Sequence, residues 1–215
     1  MLNKLLLLGT AFAFGSAGMA HADAIGTTAN FSLTQDACSG GCGVSPFGTI
    51  QLVQTTSSLV TVTVSLLNGD EFIKTGAGDA LEFNLSTFPG AITIGSITPG
   101  AFFSVGPTPD NASAFGAFDY SVTCSGCGNG GSAPQPGPLS FTVTDANGVS
   151  VSEFVGNAGG FFFASDIIGT TGFTGNVAAL GGTITPPSVP EPSSLVLFGT
   201  GLIGAAGLLR RRLFV

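Results

Sequence analysis

The chain has 215 residues, including 34 glycines, 12 prolines and 19 phenylalanines, and only 8% of its residues are charged. Between Asp23 and Val189 there are 11 acidic residues and one basic residue, Lys74. Such a stretch cannot neutralise a row of phosphates, which argues against nucleic-acid binding. The one histidine, His21, lies at the edge of a predicted leader. This placement excludes triads with a histidine base and metal sites with histidine ligands.

Residues 1–22 have the three parts of a secretory signal peptide. Lys4 supplies the positive charge, residues 5–14 form an apolar stretch, and residues 20–22 (Ala-His-Ala) form a cleavage site of the A-x-A type. An apolar helix of this length spans about 15 Å, which is too short for a hydrocarbon core about 30 Å thick. The sequence therefore predicts export, with the leader removed before Asp23.

Residues 23–180 are predicted to form one antiparallel β-sandwich domain of jelly-roll type. Apolar and polar residues alternate with a period of two, which is typical of strands with one buried face and one solvated face. This alternation is clearest in residues 60–66, 81–86, 118–123 and 139–144. Turn signals such as Asn147-Gly148 separate about ten strands in all, which favours an all-β sandwich with a phenylalanine core. Further strands are predicted near Ile50, Phe72, Ile92, Phe103, Val151, Phe162 and Val177.

The four cysteines form two close pairs in glycine-rich loops, Cys38 with Cys42 and Cys124 with Cys127. In an exported chain they predict structural disulfides, with a zinc site and a redox-active second pair as the alternatives. All three disulfide connectivities remain open. Loop-closure entropy predicts about 2 kcal/mol for a bridge within a pair and roughly 4–5 kcal/mol for one that joins the pairs. A cross-bridge between the two loops is therefore plausible.

Three glutamates, Glu71, Glu82 and Glu153, are candidates for the pair of carboxylates that a glycosidase needs. Glu82 alternates with apolar neighbours, so we expect it on a solvated strand face, and we interpret all three as ordinary solvated acids. The sequence therefore predicts no catalytic residue, no cofactor and no metal ligand.

Weak calcium binding by clustered acids, such as Asp70, Glu71 and Asp79, remains open. Residues 145–148 (Asp-Ala-Asn-Gly) begin like a calcium loop, but the following glycine and glutamate are wrongly spaced for one. We interpret this segment as a hairpin turn.

The last segment of the chain has three consecutive parts after a predicted linker at residues 181–189. Residues 190–192 (Pro-Glu-Pro) lack two amide donors and favour an extended backbone. Residues 194–209 are predicted to form a transmembrane helix, and Arg210, Arg211 and Arg212 should remain cytoplasmic. The 15 apolar residues at 195–209 span only about 22 Å as a helix, so flanking serines and snorkelling arginines must cover the mismatch.

This tail resembles the PEP-CTERM sorting signal of Gram-negative bacteria, which consists of Pro-Glu-Pro, a short apolar helix and a terminal arginine cluster. Here Pro190, Glu191 and Pro192, the predicted helix, and Arg210–Arg212 follow in that order within residues 190–215. The resemblance implies that exosortase, a membrane protease, recognises and processes the tail. Residues 160–179 also resemble the last strands of many PEP-CTERM proteins.

The resemblance implies a non-enzymatic protein of the cell surface or extracellular matrix that is associated with exopolysaccharide and biofilm. It would be held transiently in the inner membrane, with its body in the periplasm, and then reach the cell surface or the medium. The alternative is a membrane-anchored β-sandwich module that binds calcium or polysaccharide through acidic loops. A secreted hydrolase that uses carboxylates is a third hypothesis.

Overall fold

The computed structural model describes residues 23–86 and 92–187. The predicted signal peptide, the Pro-Glu-Pro segment, the predicted transmembrane helix and the arginine cluster lie outside these residues. Among the described residues, no helix is long and apolar enough to span a membrane.

The described residues form sixteen strands and one short 3-10 helix at Val151–Glu153. The strands are β1 (Thr28–Leu33), β2 (Gln35–Asp36), β3 (Gly48–Thr56), β4 (Leu59–Leu66), β5 (Glu71–Phe72), β6 (Leu81–Leu85), β7 (Thr93–Thr98), β8 (Ser104–Val105), β9 (Asp110–Ala112), β10 (Gly116–Phe118), β11 (Tyr120–Thr123), β12 (Leu139–Thr144), β13 (Phe154–Val155), β14 (Phe163–Ile168), β15 (Thr174–Ala179) and β16 (Gly182–Thr185).

Two antiparallel sheets contain most of these strands. The first sheet has the order β16-β1-β3-β4-β12-β7. The second has the order β2-β15-β14-β6-β11-β8, with β5 paired to β14 and β13 paired to β6. A separate hairpin pairs β9 with β10. The prediction of an all-β, antiparallel, sandwich-like body is confirmed, and its closer likeness to a jelly roll stays a prediction.

Aromatic side chains from both sheets meet in the core between them. Phe83 of the second sheet stacks on Phe141 of the first, with ring centroids 5.9 Å apart. Phe31 and Phe163 make an edge-to-face contact at 4.8 Å between centroids. These rings are buried together with the inward-facing valines of β4. The prediction that phenylalanines fill the core is therefore confirmed.

The strand predicted near Val151 is β13, which begins three residues later at Phe154, while Val151 itself lies in the 3-10 helix. It begins the 3-10 helix, because Ser150 and Glu153 close a tight turn around it. The Ser150 backbone N–H donates to the Glu153 carboxylate at 2.8 Å, and the Glu153 N–H donates to the Ser150 carbonyl at 3.1 Å. Local capping thus overrides the β-propensity of this segment.

Strand β16 lies inside the predicted linker at residues 181–189. It pairs antiparallel with β1, with Phe31 opposite Gly182 and Thr28 opposite Thr185. The predicted domain boundary at residue 180 therefore cuts the first sheet and falls too early. The sequence hides this strand because all four of its residues are exposed, so no apolar alternation marks it.

The outward faces of the two sheets have different surroundings. Strand β4 of the first sheet alternates between buried and half-buried residues, whereas all five residues of β6 in the second sheet are buried. A small outer cluster packs beside the second sheet and includes residues of the β9–β10 hairpin. Its buried members are Ala112, Phe115, Phe118, Ala164 and Ala178.

Candidate functional site

A cleft of about 270 Å³ opens beside the outward face of the second sheet. Its walls come from the segment before β6, the connection between β8 and β9, and the end of β11. The cleft is lined by Lys74, Gly76, Gly78, Asp79, Val105, Gly106, Pro107, Asp110, Asn111 and Thr123. Two carboxylates and one ammonium group thus face the same small space.

Asp79 forms one wall of this cleft and is only 6% exposed. The Ser121 hydroxyl donates a hydrogen bond to Asp79 Oδ2 at 2.6 Å. Burial raises the pKa of Asp79; the Ser121 and Thr123 hydroxyls oppose this shift, and the nearby Asp110 carboxyl adds to it. The two carboxyl groups therefore influence each other, an arrangement that favours the retention of a proton by one of them.

Glu82 lies directly beneath this wall, on the outward face of β6, and is fully buried. Its Oε1 accepts the Asp79 backbone N–H at 2.9 Å, while its Oε2 has no hydrogen-bond partner. Burial raises the pKa of Glu82 to about 8, and Asp110 and Asp79 add to the shift. The expectation of a solvated Glu82 is therefore wrong, because the outward face of the second sheet is covered.

Asp166 and Asn176 face each other across β14 and β15, next to these acids. Asp166 Oδ2 accepts the Thr75 hydroxyl at 2.6 Å and the Thr75 N–H at 2.8 Å, and Oδ1 has no partner. Burial raises the pKa of Asp166 to about 6. The Asn176 amide donates through Nδ2 to the Ala77 carbonyl at 2.8 Å, which leaves its Oδ1 without a partner.

Gly78 lines the cleft and lies close to the side chains of two buried residues, Glu82 and Asn176. A Cβ atom at residue 78 would lie 2.8 Å from Asn176 Oδ1 and 2.9 Å from Glu82 Oε1. A side chain here would collide with both groups, so the position requires glycine. The Asn176 Nδ2 atom would lie 3.0 Å from the same Cβ, so the amide and the carboxylate both pack closely against Gly78. We call Asp79, Glu82, Asp110, Asp166 and Asn176 the oxygen cluster.

The three glutamates considered for glycosidase chemistry are not brought together. Along β14, Glu71 lies opposite Ile168 and Glu82 opposite Ala164, so the two glutamates are about 13 Å apart at the usual strand rise. The Glu153 backbone carbonyl accepts the N–H of Ser86, which lies four residues after Glu82 in the chain. The Glu153 carboxylate accepts the Ser150 N–H. Of the three, only Glu82 belongs to the oxygen cluster.

The acids singled out for calcium binding also separate. Asp70 Oδ1 accepts the Thr170 N–H at 3.1 Å, whereas Asp79 faces Ser121. Asp145 Oδ1 accepts the Asn147 N–H at 2.8 Å in the turn between β12 and the 3-10 helix. The segment at 145–148 is therefore a turn as predicted, but it joins a strand to a 3-10 helix and does not close a hairpin.

The cysteines pair within each motif, as Cys38–Cys42 and Cys124–Cys127. Their Cα atoms are 5.4 Å and 5.3 Å apart, respectively. The Asp36 carboxylate folds the first loop by accepting the N–H groups of Cys38 and Cys42 at 2.8 Å and 3.0 Å. The cross-bridge suggested by loop-closure entropy is thus not formed, because each loop closes on itself.

Asp36, Cys38 and Cys42 place potential metal ligands within 4.8 Å of one another. The two sulfurs are bonded to each other, so neither is a thiolate, and the carboxylate already accepts two amides. This group therefore closes a loop and does not have the chemistry of a zinc site.

Residues 188–212 match the family model of the PEP-CTERM protein-sorting motif. The matched residues include Pro190, Glu191, Pro192 and the cluster Arg210–Arg212. The resemblance seen in the tail is therefore confirmed. No curated protein and no solved structure matches the chain. The match covers the tail only, so the chemistry of the body rests on its own geometry.

Proposed function

From the premise that this chain is a PEP-CTERM sorting domain-containing protein, we propose that its β-sandwich body is non-enzymatic cargo for the cell surface or extracellular matrix. The motif marks a surface-exported protein for exosortase-dependent sorting. In the proposed route, the chain stays in the inner membrane with its body in the periplasm until exosortase processes the tail. The body then joins a matrix that contains exopolysaccharide, as in a biofilm.

The position of the last strand supports a short tether between body and membrane. Strand β16 ends at Thr185, and only Pro186 and Pro187 separate it from the matched motif. The nine residue steps from Thr185 to the predicted start of the membrane helix at residue 194 reach at most about 30 Å. The Pro-Glu-Pro strip would therefore lie between folded cargo and lipid, within reach of a membrane protease.

The composition of the body supports an extracellular role. Lys74 is its one basic residue against 11 acidic residues between residues 23 and 187, which leaves few sites for proteases that cut after Lys or Arg. Each cysteine loop is closed by a disulfide, and such bonds persist in oxidising compartments. These features suit a protein that must remain intact outside the cell.

The alternative function is a membrane-anchored module that binds calcium or polysaccharide. For polysaccharide the body offers little: the chain has no tryptophan and one tyrosine, Tyr120. The Tyr120 ring stacks on Phe83 of the core, with centroids 5.5 Å apart. For calcium, the body offers the carboxylates of Asp79 and Asp110, which line one cleft.

Replacement of the sorting residues tests the proposed function. We expect the variant Pro190→Ala/Glu191→Ala/Pro192→Ala to accumulate at full length in the inner membrane, because the processing enzyme no longer recognises the strip. The matched control is Pro186→Ala/Pro187→Ala, which changes two prolines outside the motif and should be processed normally. Fractionation followed by intact-mass analysis distinguishes the two. Normal release of the triple variant would refute recognition through Pro-Glu-Pro.

A further inference from the structure

We propose that the end of the body from which the tail leaves rests on the lipid surface and contacts it through Ile25, Ile184 and Pro186. We call these three residues the exit residues. The proposal rests on the membrane anchor of the proposed function and goes beyond it by orienting the body on the bilayer. Its support is the position and exposure of these side chains, the length of chain that follows them and the charges at this end.

The first and last described segments of the body lie side by side. Strand β16 ends at Thr185, which pairs with Thr28 at the start of β1. A Cβ atom at Gly26 would lie 3.5 Å from Pro187 Cβ, so the residues that precede β1 run beside those that follow β16. Ile25 therefore lies next to the point at which the chain continues toward the predicted membrane helix.

The exit residues are apolar and exposed to solvent. Ile25 is 66% exposed, Ile184 is 49% exposed, and Pro186 is exposed as well. Ile184 lies opposite the buried Ala29, so its side chain is on the inner face of the first sheet, but β16 is an edge strand and leaves it half uncovered. Transfer of such side chains from water to the headgroup and acyl boundary of a bilayer is favourable.

The chain that follows β16 keeps the exit residues near the bilayer. The seven residue steps from Pro187 to the predicted start of the membrane helix at residue 194 reach at most about 25 Å. The 15 apolar residues at 195–209 span about 22 Å, roughly 8 Å less than the hydrocarbon core. Thinning of the bilayer and flanking residues at the headgroups accommodate a helix this short. We therefore expect the segment that follows Pro187 to begin close to the lipid surface.

The charges at this end favour an apolar contact over an electrostatic one. The 3-10 helix lies here, because Asp23 Oδ2 accepts the Ser152 N–H at 2.8 Å. The neighbouring Asp145 and Glu153 are acids as well. Lys74, the one basic residue of the described part of the chain, lines the cleft beside the second sheet. A surface without lysine or arginine gains little from anionic headgroups, so its lipid contact depends on the exit residues.

Single tryptophan reporters test this orientation, since the chain contains no tryptophan. Ile25→Trp places one among the exit residues. The control is Val44→Trp, because Val44 is 72% exposed in the loop before β3, at the far end of the first sheet where Leu33 pairs with Gly48. Tryptophan itself favours bilayer interfaces, but both variants share that preference, so only the position of the reporter differs.

The unprocessed chain of each variant is purified from the membrane fraction and reconstituted into phosphatidylcholine vesicles whose lipid is brominated at shallow acyl positions. We expect bromine to lower the fluorescence of Ile25→Trp about twofold and that of Val44→Trp by less than about 10%, because interfacial side chains lie about 5–10 Å into the headgroup and acyl boundary.

A second pair of variants separates apolar contact from simple proximity to the bilayer. In the Ile25→Trp background, Ile184→Thr keeps a β-branched side chain but makes it polar, and should reduce the quenching to about half. Leu180→Thr is the matched control: Leu180 is 51% exposed at the other end of β16, and its variant should leave the quenching unchanged.

Flotation of the same vesicles distinguishes failure of this contact from failure of the anchor. A chain that floats with the vesicles, but in which Ile25→Trp is quenched no more than Val44→Trp, would overturn the lipid contact and leave the anchor intact. A blue-shifted Ile25→Trp emission without bromine quenching would also overturn it, by assigning the exit residues to a second copy of the chain. A chain that does not float would overturn both the anchor and the contact. Recognition of Pro-Glu-Pro is tested separately by the sorting variants.

Discussion

The outward faces of the two sheets have similar sequence patterns but different surroundings. The outward face of the first sheet lies at the surface, whereas that of the second sheet is covered. On β4 of the first sheet, the outward threonines Thr61 and Thr63 remain half-buried at the surface. On β6 of the second sheet, the outward residues Glu82 and Asn84 are buried as completely as their inward neighbours. The difference shows that strand alternation reports the inner face reliably, while the outer face depends on what later segments place over it.

Asn157 is one of the residues that hold the cover over the second sheet, together with Asn84, whose Oδ1 accepts the Asp119 N–H at 2.6 Å. Asn157 Nδ2 donates to the Phe115 carbonyl at 2.8 Å, and its Oδ1 accepts the Gly159 and Phe161 N–H groups at 2.9 Å and 3.1 Å. The rings of Phe115 and Phe161 meet at 4.8 Å. This contact fastens the β9–β10 hairpin, which carries Asp110, to the sheet below it. A covered polar face is thus what makes an enclosed acidic site possible.

Truncation in the shared core should have the largest effect on stability. Phe83 contacts rings from both sheets, so Phe83→Ala should lower the free energy of unfolding by about 3–5 kcal/mol. Thr142→Ala, on the outward face of the first sheet, is the control and should change it by less than about 0.5 kcal/mol. Urea unfolding measures both. Equal losses in the two variants would remove the distinction between inner and outer faces.

The covered acids should make stability fall as the pH rises. Folded Glu82 keeps its proton up to its raised pKa of about 8, whereas in the unfolded chain it ionises near its ordinary pKa of 4.5. The folded state therefore binds more protons across this window, and stability declines by up to about 1.4 kcal/mol per pH unit. Between pH 6 and pH 8 the loss should be about 2 kcal/mol.

Glu82→Gln is the test of this assignment, because glutamine does not titrate. We expect the decline between pH 6 and pH 8 to become much smaller in this variant, with a remainder from Asp79 and Asp166, and to persist in full in Glu71→Gln. Thermal unfolding at a series of pH values, with chelator present, provides the measurement. A decline of the same size in Glu82→Gln would assign the effect to other groups.

Loss of the Asn157 contact should have a smaller and more local effect. Asn157→Ala removes hydrogen bonds that hold the β9–β10 hairpin, so we expect a loss of about 1–2 kcal/mol. Hydrogen exchange should speed up in β9, in β10 and around Phe161, while β4 and β12 remain protected. Faster exchange throughout both sheets would show instead that the cover and the sandwich unfold as one unit.

Where apolar and polar residues alternate along a strand with one buried face, the sequence predicted both the strand and its inward residues. The predicted strands around Val62 and Phe141 are β4 and β12, and their inward residues do lie in the core. The hairpin of β14 and β15 lies within residues 160–179, for which the family resemblance predicted the last strands.

The features that escaped prediction depend on long-range contacts. Strand β16 carries no apolar pattern because it is an edge strand with exposed residues. Glu82 reads as solvated because the hairpin that covers its sheet begins 28 residues later, at Asp110. Asn176 gave no signal at all, since nothing about an isolated asparagine in a strand indicates that it is buried close to Gly78.

The intact mass of the chain recovered from both the membrane fraction and the culture medium tests the sorting proposal most directly. We predict that the medium contains a form that begins at Asp23 and ends near residue 190, while the membrane holds the unprocessed precursor. A chain that ends at Val215 in every fraction, with no shortened form in the medium, would contradict exosortase processing and leave a simple membrane-anchored β-domain.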